Sequence, residues 1–221
     1  TDQLIYGREM NAVRDSGADM ILLLLDPDDQ LVFLGQQESY RLDVPAAVFP
    51  SAVSQTRDYI AAARPRSGTH NPDYRFALWE ATLESNGADA FNESFMSRWG
   101  EVTDPAAWAS YQSIKILFGA ALGAGSMEGT ALIQYLESAE AVFDVSKGPG
   151  TSFRTWDHQL RQPLYLVRVN QEAAWTRLSL SSRVEIAEIA AELPNLGPQA
   201  TNPAERLDQF GDGPDDSACR L

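Results

Sequence analysis

The chain has 221 residues, 44% of them hydrophobic and 10% aromatic, which suffices for one large domain or two small ones with a real core. Its formal net charge of −14 repels nucleic acid phosphates and anionic lipid, and argues against both as partners. One cysteine, Cys219, forbids an internal disulfide, and two histidines, His70 and His158, cannot build a histidine-rich zinc site.

Leu4 to Asp15 reads as a helix. Gly17 to Asp26, GADMILLLLD, is a continuous apolar run closed by an aspartate, the pattern of a buried parallel strand. The run is too short to span a bilayer. No signal peptide is visible and the first residue is Thr1, so the amino terminus is expected to have been processed or cut. Asp28 to Arg41 carries Leu31, Val32, Leu34 and Tyr40 in a weak helical stripe, and Pro45 to Ser51 reads as a second short strand. Helix, strand, helix, strand predicts an α/β fold with a mostly parallel sheet flanked by helices.

Arg64 to Pro72 has loop composition. Tyr74 to Glu84 is expected to be helical, with Phe76, Trp79 and Leu83 on one face. Gly87 to Gly100 is a second aromatic-bearing helix, with Phe91, Phe95 and Trp99 four residues apart. Asp104 can cap the free N–H groups of a helix whose first position suits Pro105. That helix is expected to reach Leu122 and to stop at Gly123 and Gly125. Met127 to Ser138 follows as another helix. Val142 to Val145 reads as a strand and Lys147 to Gly150 as a turn. Ser152 to Arg154 and Gln162 to Asn170 read as strands. Ser182 with Glu185 fits a capping box opening a helix through Ile189, and from Leu193 onward the composition is that of a surface tail.

Asp26 and Ser51 follow the two predicted strands, where open α/β sheets bind ligands. Asp28 and Asp29 read as helix caps, and Asp26 suits either role. Tyr111 lies one turn after Trp108 and shares its face, so its hydroxyl either meets a ligand or belongs to the core. Trp79, Trp99 and Trp108 read as core. Asp157 and His158 are strand neighbours pointing to opposite faces, which rules out a proton relay between them. Hydrolase, zinc-protease and phosphate-loop motifs are absent. Hard-cation clusters could use Asp26, Asp28 and Asp29, or Asp208, Asp212, Asp215 and Asp216, but neither has the full calcium-loop spacing.

The segment Thr151 to Asn170, TSFRTWDHQLRQPLYLVRVN, mixes aromatic and hydrogen-bonding side chains as a meeting surface does. Together with GADAFNESF (87–95), DPAAWASYQSIK (104–115) and LDQFGDGPDDSAC (207–219), it resembles the C-terminal half of type I periplasmic substrate-binding proteins. The similarity covers roughly Gly17 to Leu221. It is to the branched-chain amino acid binders of ABC transporters, and to a subgroup accompanying pyrroloquinoline-quinone-dependent alcohol dehydrogenase systems. The resemblance implies a type I periplasmic binding protein-like α/β fold with an incomplete first lobe. Residues 1–103 would be a second-lobe unit, 104–140 helices returning to the first lobe, 141–192 crossing strands and a helix, and 193–221 a surface tail. It implies a periplasmic binding protein rather than an enzyme, with no cofactor, metal or membrane insertion, closing its lobes on a small molecule. Asp26, Ser51 and Tyr111 would be ligand contacts, and Arg154, Trp156, Gln159 and Arg161 the interlobe signature. Partners would be an ABC permease, a quinoprotein dehydrogenase, and a missing N-terminal half or second copy covering the exposed apolar face of the Asp104 helix. Two alternatives stand beside this reading. One is an accessory protein docking its acidic surface on a quinoprotein dehydrogenase or its cytochrome. The other is a calcium- or lanthanide-binding protein.

Overall fold

A computed structural model describes residues 5–63, 74–84, 86–170, 187–193, 202–208 and 213–215. In chain order the elements are α1 (Gly7–Ser16), β1 (Ile21–Leu23), α2 (Pro27–Ser39), β2 (Ala46–Val48), α3 (Arg57–Ala63) and β3 (Tyr74–Ala77). Then come α4 (Ala88–Trp99), α5 (Pro105–Ala124), α6 (Gly129–Leu136), β4 (Ser152–Phe153) and β5 (Leu160–Arg161). The last are β6 (Leu164–Val169), β7 (Ala187–Leu193) and α7 (Pro203–Leu207). Two units divide the chain. Unit 1 is residues 1–80, 104–106 and 166–190, and unit 2 is residues 81–103, 107–165 and 191–221.

In unit 1, β1 and β2 pair in parallel, with Ile21 opposite Ala46 and Leu23 opposite Val48. Parallel neighbours need a crossover, which α2 supplies. Tyr6, Met10, Leu23, Phe33, Leu34, Leu42 and Tyr59 pack between helix and strand as its core. The apolar run GADMILLLLD forms a strand only at Ile21–Leu23, and it is buried on one face alone: Leu23 is buried while Leu22 and Leu24 are 54% and 70% exposed. The sheet order β3-β6-β7 places the later strands in a second, separate sheet.

Two helix expectations fail there. Tyr74–Ala77 is a strand in which exposed Tyr74 and Phe76 alternate with the more buried Arg75 and Ala77. Period two outweighs the helix-like spacing of Phe76, Trp79 and Leu83, and Trp79 is buried in the irregular segment after it. Ala187–Leu193 is likewise a strand, because the sheet overrides a sequence of helix-favouring alanines and glutamates. Ser182, Glu185 and the loop Arg64 to Pro72 lie outside the described residues, as do His70, Asp212, Asp216 and Cys219.

In unit 2, Trp108, Gln112, Ile116 and Ala120 form the buried stripe of α5, one residue every four. Trp108 Nε1 donates to the Val145 carbonyl at 3.1 Å. The opposite stripe is open: Tyr111, Ile114, Phe118 and Leu122 are 55%, 72%, 67% and 69% exposed. α5 runs through Gly123, where a side chain would collide with the ring of Tyr135 on α6. The stop comes at Gly125, whose φ of 60° lies in the left-handed region. Residues 142–145 are not a strand. The backbone bond from Phe143 N to the Thr151 carbonyl does not extend into a ladder there. β4 and β5 pair antiparallel as a short hairpin. Among the described residues no single helix is long and apolar enough to cross a membrane, although the bent pair α5–α6 passes by length and composition together.

Candidate functional site

Asp26 and Ser51 both lie in unit 1, just past the C-terminal ends of adjacent parallel strands. Asp26 is the N-cap residue of α2, extended at φ −61° and ψ 151°, yet its carboxylate makes no capping bond and is exposed. Helix α2 begins at Pro27, so Asp28 and Asp29 occupy its first turn, where negative charge suits the helix dipole. Ser51 is held in a tight turn. Its Oγ accepts the Ser54 N–H at 3.0 Å, its own N–H donates to Ser54 Oγ at 2.7 Å, and Gln55 Nε2 donates to its carbonyl at 2.9 Å.

Three residues that sequence reasoning passed over hold this edge together. Buried Gln30 donates Nε2 to the Leu25 carbonyl at 2.8 Å and accepts the Tyr59 hydroxyl at 2.7 Å, which ties the end of β1 to α3. Burial pushes the Tyr59 phenol up to about 12, with Arg75 opposing. Gln55 accepts the Leu78 N–H at 2.6 Å, fixing the segment after β3 to the Ser51 loop. The signal was available as Gln30 and Gln37 seven residues apart, on one face of α2.

Below this edge, the Arg57 guanidinium is ion-paired with Glu80, both side chains 5% exposed. Burial pushes Arg57 down to about 10, with Asp104 working the other way. The Asp104 carboxylate accepts the Arg57 N–H at 3.1 Å, satisfying a free donor at the start of α3 as well as standing before Pro105.

Tyr111 belongs to unit 2. It stands on the open side of α5, with its ring centroid 5.0 Å from that of Phe91. The two lie in a groove of about 510 Å³ with Phe95, Trp99, Arg98 and Lys115. Trp99 is therefore exposed (62%) rather than core, whereas Trp79 and Trp108 are core as expected.

The signature residues cluster on the β4–β5 hairpin. The Asp208 carboxylate accepts Arg154 Nε at 2.7 Å and Arg161 Nε at 2.7 Å. Arg154 also pairs with Asp157 at 2.9 Å, and Arg161 Nη1 donates to the Phe153 carbonyl at 2.8 Å. The Trp156 ring lies 5.5 Å from one guanidinium carbon and 5.2 Å from the other. Burial alone would push Arg154 down, but hydrogen bonds and charge from Asp208 and Asp157 more than reverse it. Gln159 joins through its backbone, its carbonyl accepting the Arg154 N–H at 2.9 Å. Asp157 and His158 sit in a turn rather than a strand, with His158 at φ 59°. No relay forms because Asp157 faces Arg154 while His158 pairs with Glu137.

Among the described residues no three or more His, Cys, Asp or Glu side chains gather as metal ligands. Asp26, Asp28 and Asp29 form no such group and Asp208 is taken by two arginines, while Asp212 and Asp216 lie outside the described residues.

The family described as "Periplasmic binding protein" matches residues 6–174. No curated protein matches the chain. Among solved structures, a periplasmic binding protein from Burkholderia mallei is 12% identical with a TM-score of 0.67, over 88% of this chain and 48% of that one. A branched-chain amino acid transporter substrate binding protein from Streptococcus pneumoniae, in complex with isoleucine, is 18% identical with a TM-score of 0.59, over 84% and 48%. A fatty acid ABC transporter substrate-binding protein from Thermomonospora curvata is 17% identical with a TM-score of 0.62, over 86% and 46%. These likenesses show the fold, α/β of the type I periplasmic binding protein kind. The chain spans about half the length of the solved relatives it matches.

Proposed function

Because the chain belongs to the periplasmic binding protein family, we propose that it serves in the solute-binding component of an ABC-type importer, on the periplasmic side of the membrane. It holds a small metabolite and does not convert it. The observation that carries this reading is the edge past β1 and β2. An exposed carboxylate without a capping bond, at Asp26, and a turn-locked serine, at Ser51, stand where open α/β sheets take their ligands. Asp26, Ser51 and Tyr111 are the proposed contacts. One solved relative is in complex with isoleucine and another is a fatty acid ABC transporter substrate-binding protein, so the fold alone leaves the solute open.

Two further statements belong to the proposal. The solute is linked to pyrroloquinoline-quinone-dependent alcohol oxidation, with a quinoprotein dehydrogenase as neighbour. The FRTWDHQLRQP block, resembling that subgroup and built here into a two-arginine clasp on Asp208, supports this. The open stripe of α5 from Ile114 to Leu122 is covered by further polypeptide, either the counterpart of the relatives' remaining length or a second copy. An apolar helix face this exposed supports that.

Thermal-shift screening against alcohols, their carboxylic acids, amino acids and pyrroloquinoline quinone tests the reading. A stabilising hit that Asp26→Asn or Ser51→Ala reduces is the expected result. A flat response to the whole panel contradicts it.

A further inference from the structure

We propose that the groove between α4 and α5 is a binding site for a flat aromatic carboxylate. The groove lies within unit 2, and Tyr111 is the one residue it shares with the proposed solute contacts.

Phe91, Phe95 and Trp99 stand four residues apart on one face of α4, with successive ring centroids 6.5 and 6.4 Å apart. Tyr111 on α5 closes the row against Phe91. Four neighbouring rings, two of them more than half exposed, are unusual on the open surface of an acidic protein. They line an open groove of about 510 Å³, room for a one- or two-ring molecule. The Tyr111 hydroxyl has no hydrogen-bond partner among the described residues and is free to meet a ligand.

The charges give the class. The chain carries 31 acidic against 17 basic side chains, yet among the described residues the groove is lined by Arg98 and Lys115 and by no carboxylate. Arg98 lies over the Trp99 ring at 5.3 Å, at the rim. Lys115 Nζ donates to the Asp144 carbonyl at 2.8 Å. The Asp144 carboxylate is 3.6 Å away and 78% exposed, so Lys115 keeps hydrogens for another acceptor. Aromatic faces with two cations at the margin match a ring bearing a carboxylate. A neutral ring would leave the cations unused, and an aliphatic anion would leave the rings wet.

Titrating the whole chain with benzoate, benzamide and acetate, while following the Trp99 indole N–H by NMR, tests this. Trp99→Phe assigns the signal. Benzoate is expected to saturate it about tenfold more tightly than benzamide, with acetate weaker still. Arg98→Gln combined with Lys115→Gln is expected to bring benzoate down to the benzamide level. Equal binding of benzoate and benzamide, equal binding of acetate, or no saturation by benzoate up to about 10 mM would each overturn the assignment. The comparison of three probes on the unaltered chain holds even if the double variant misfolds.

Discussion

Gln112 lies in the buried stripe of α5 between Trp108 and Ile116, and neither end of its amide finds a partner among the described residues. An unpaired buried amide costs about 1–3 kcal/mol. Gln112→Met keeps the volume and removes the polar atoms, and is expected to raise stability by about 1–2 kcal/mol in urea unfolding. A loss of stability would mean that the amide is satisfied by something the chain itself does not supply. Lys147 is the opposite case. Its buried ammonium donates to Gln162 Oε1 at 2.7 Å and to the Pro163 carbonyl at 3.1 Å, with Trp108 and Tyr165 rings 4.1 and 5.3 Å away. Burial nevertheless pushes its pKa well below the ordinary 10.5, with Glu192 opposing. The folded chain then holds this proton less tightly than the unfolded chain. Stability is reduced below the folded pKa, rises with pH through the window up to 10.5, and gains nothing further above it. The urea midpoint should therefore climb in that window for the wild type and lose this component in Lys147→Met. An identical pH slope in both proteins would refute the assignment. Neither residue was legible in the sequence, because a lone glutamine in a helical stripe and a lysine beside Gly148 look solvated until the packing around them is known.

At the scale of elements, the sequence announced those whose pattern is local. The crossover β1–α2–β2 follows from an apolar run, a proline-started helix and a second short strand. Pro105 marked the start of α5. What it hid depended on distant partners. β3 and β7 carry helix-compatible spacing or composition and become strands only because a sheet takes them in. The candidate edge was legible at Asp26 and Ser51, which local order places, but not at Gln30, Tyr59 and Gln55, whose role arises from contacts 19 to 29 residues away in sequence. The arginine clasp is of the same kind: the block was visible, its dependence on Asp208 was not. Asp208→Asn is expected to lower stability by about 2 kcal/mol, discounted for the 24% exposure of that side chain, and to alter Trp156 fluorescence. An unchanged melting temperature would show that α7 is not tethered through this carboxylate.

The whole molecule is an α/β protein of the periplasmic binding protein family, about half as long as its solved relatives. Its exposed α5 stripe is expected to make the chain alone associate with itself or bind an apolar dye. Light scattering that gives a clean monomer, without dye binding, would contradict the covering proposed for that stripe. The proposed function turns on solute binding at the edge past β1 and β2, and the most direct measurement is calorimetric titration with the strongest stabiliser from the metabolite screen. Saturable heat for the wild type, weakened at least about tenfold by Ser51→Ala and by Asp26→Asn with the fold intact, is the predicted result. Undiminished affinity in both variants, or no heat from any candidate solute, would contradict it.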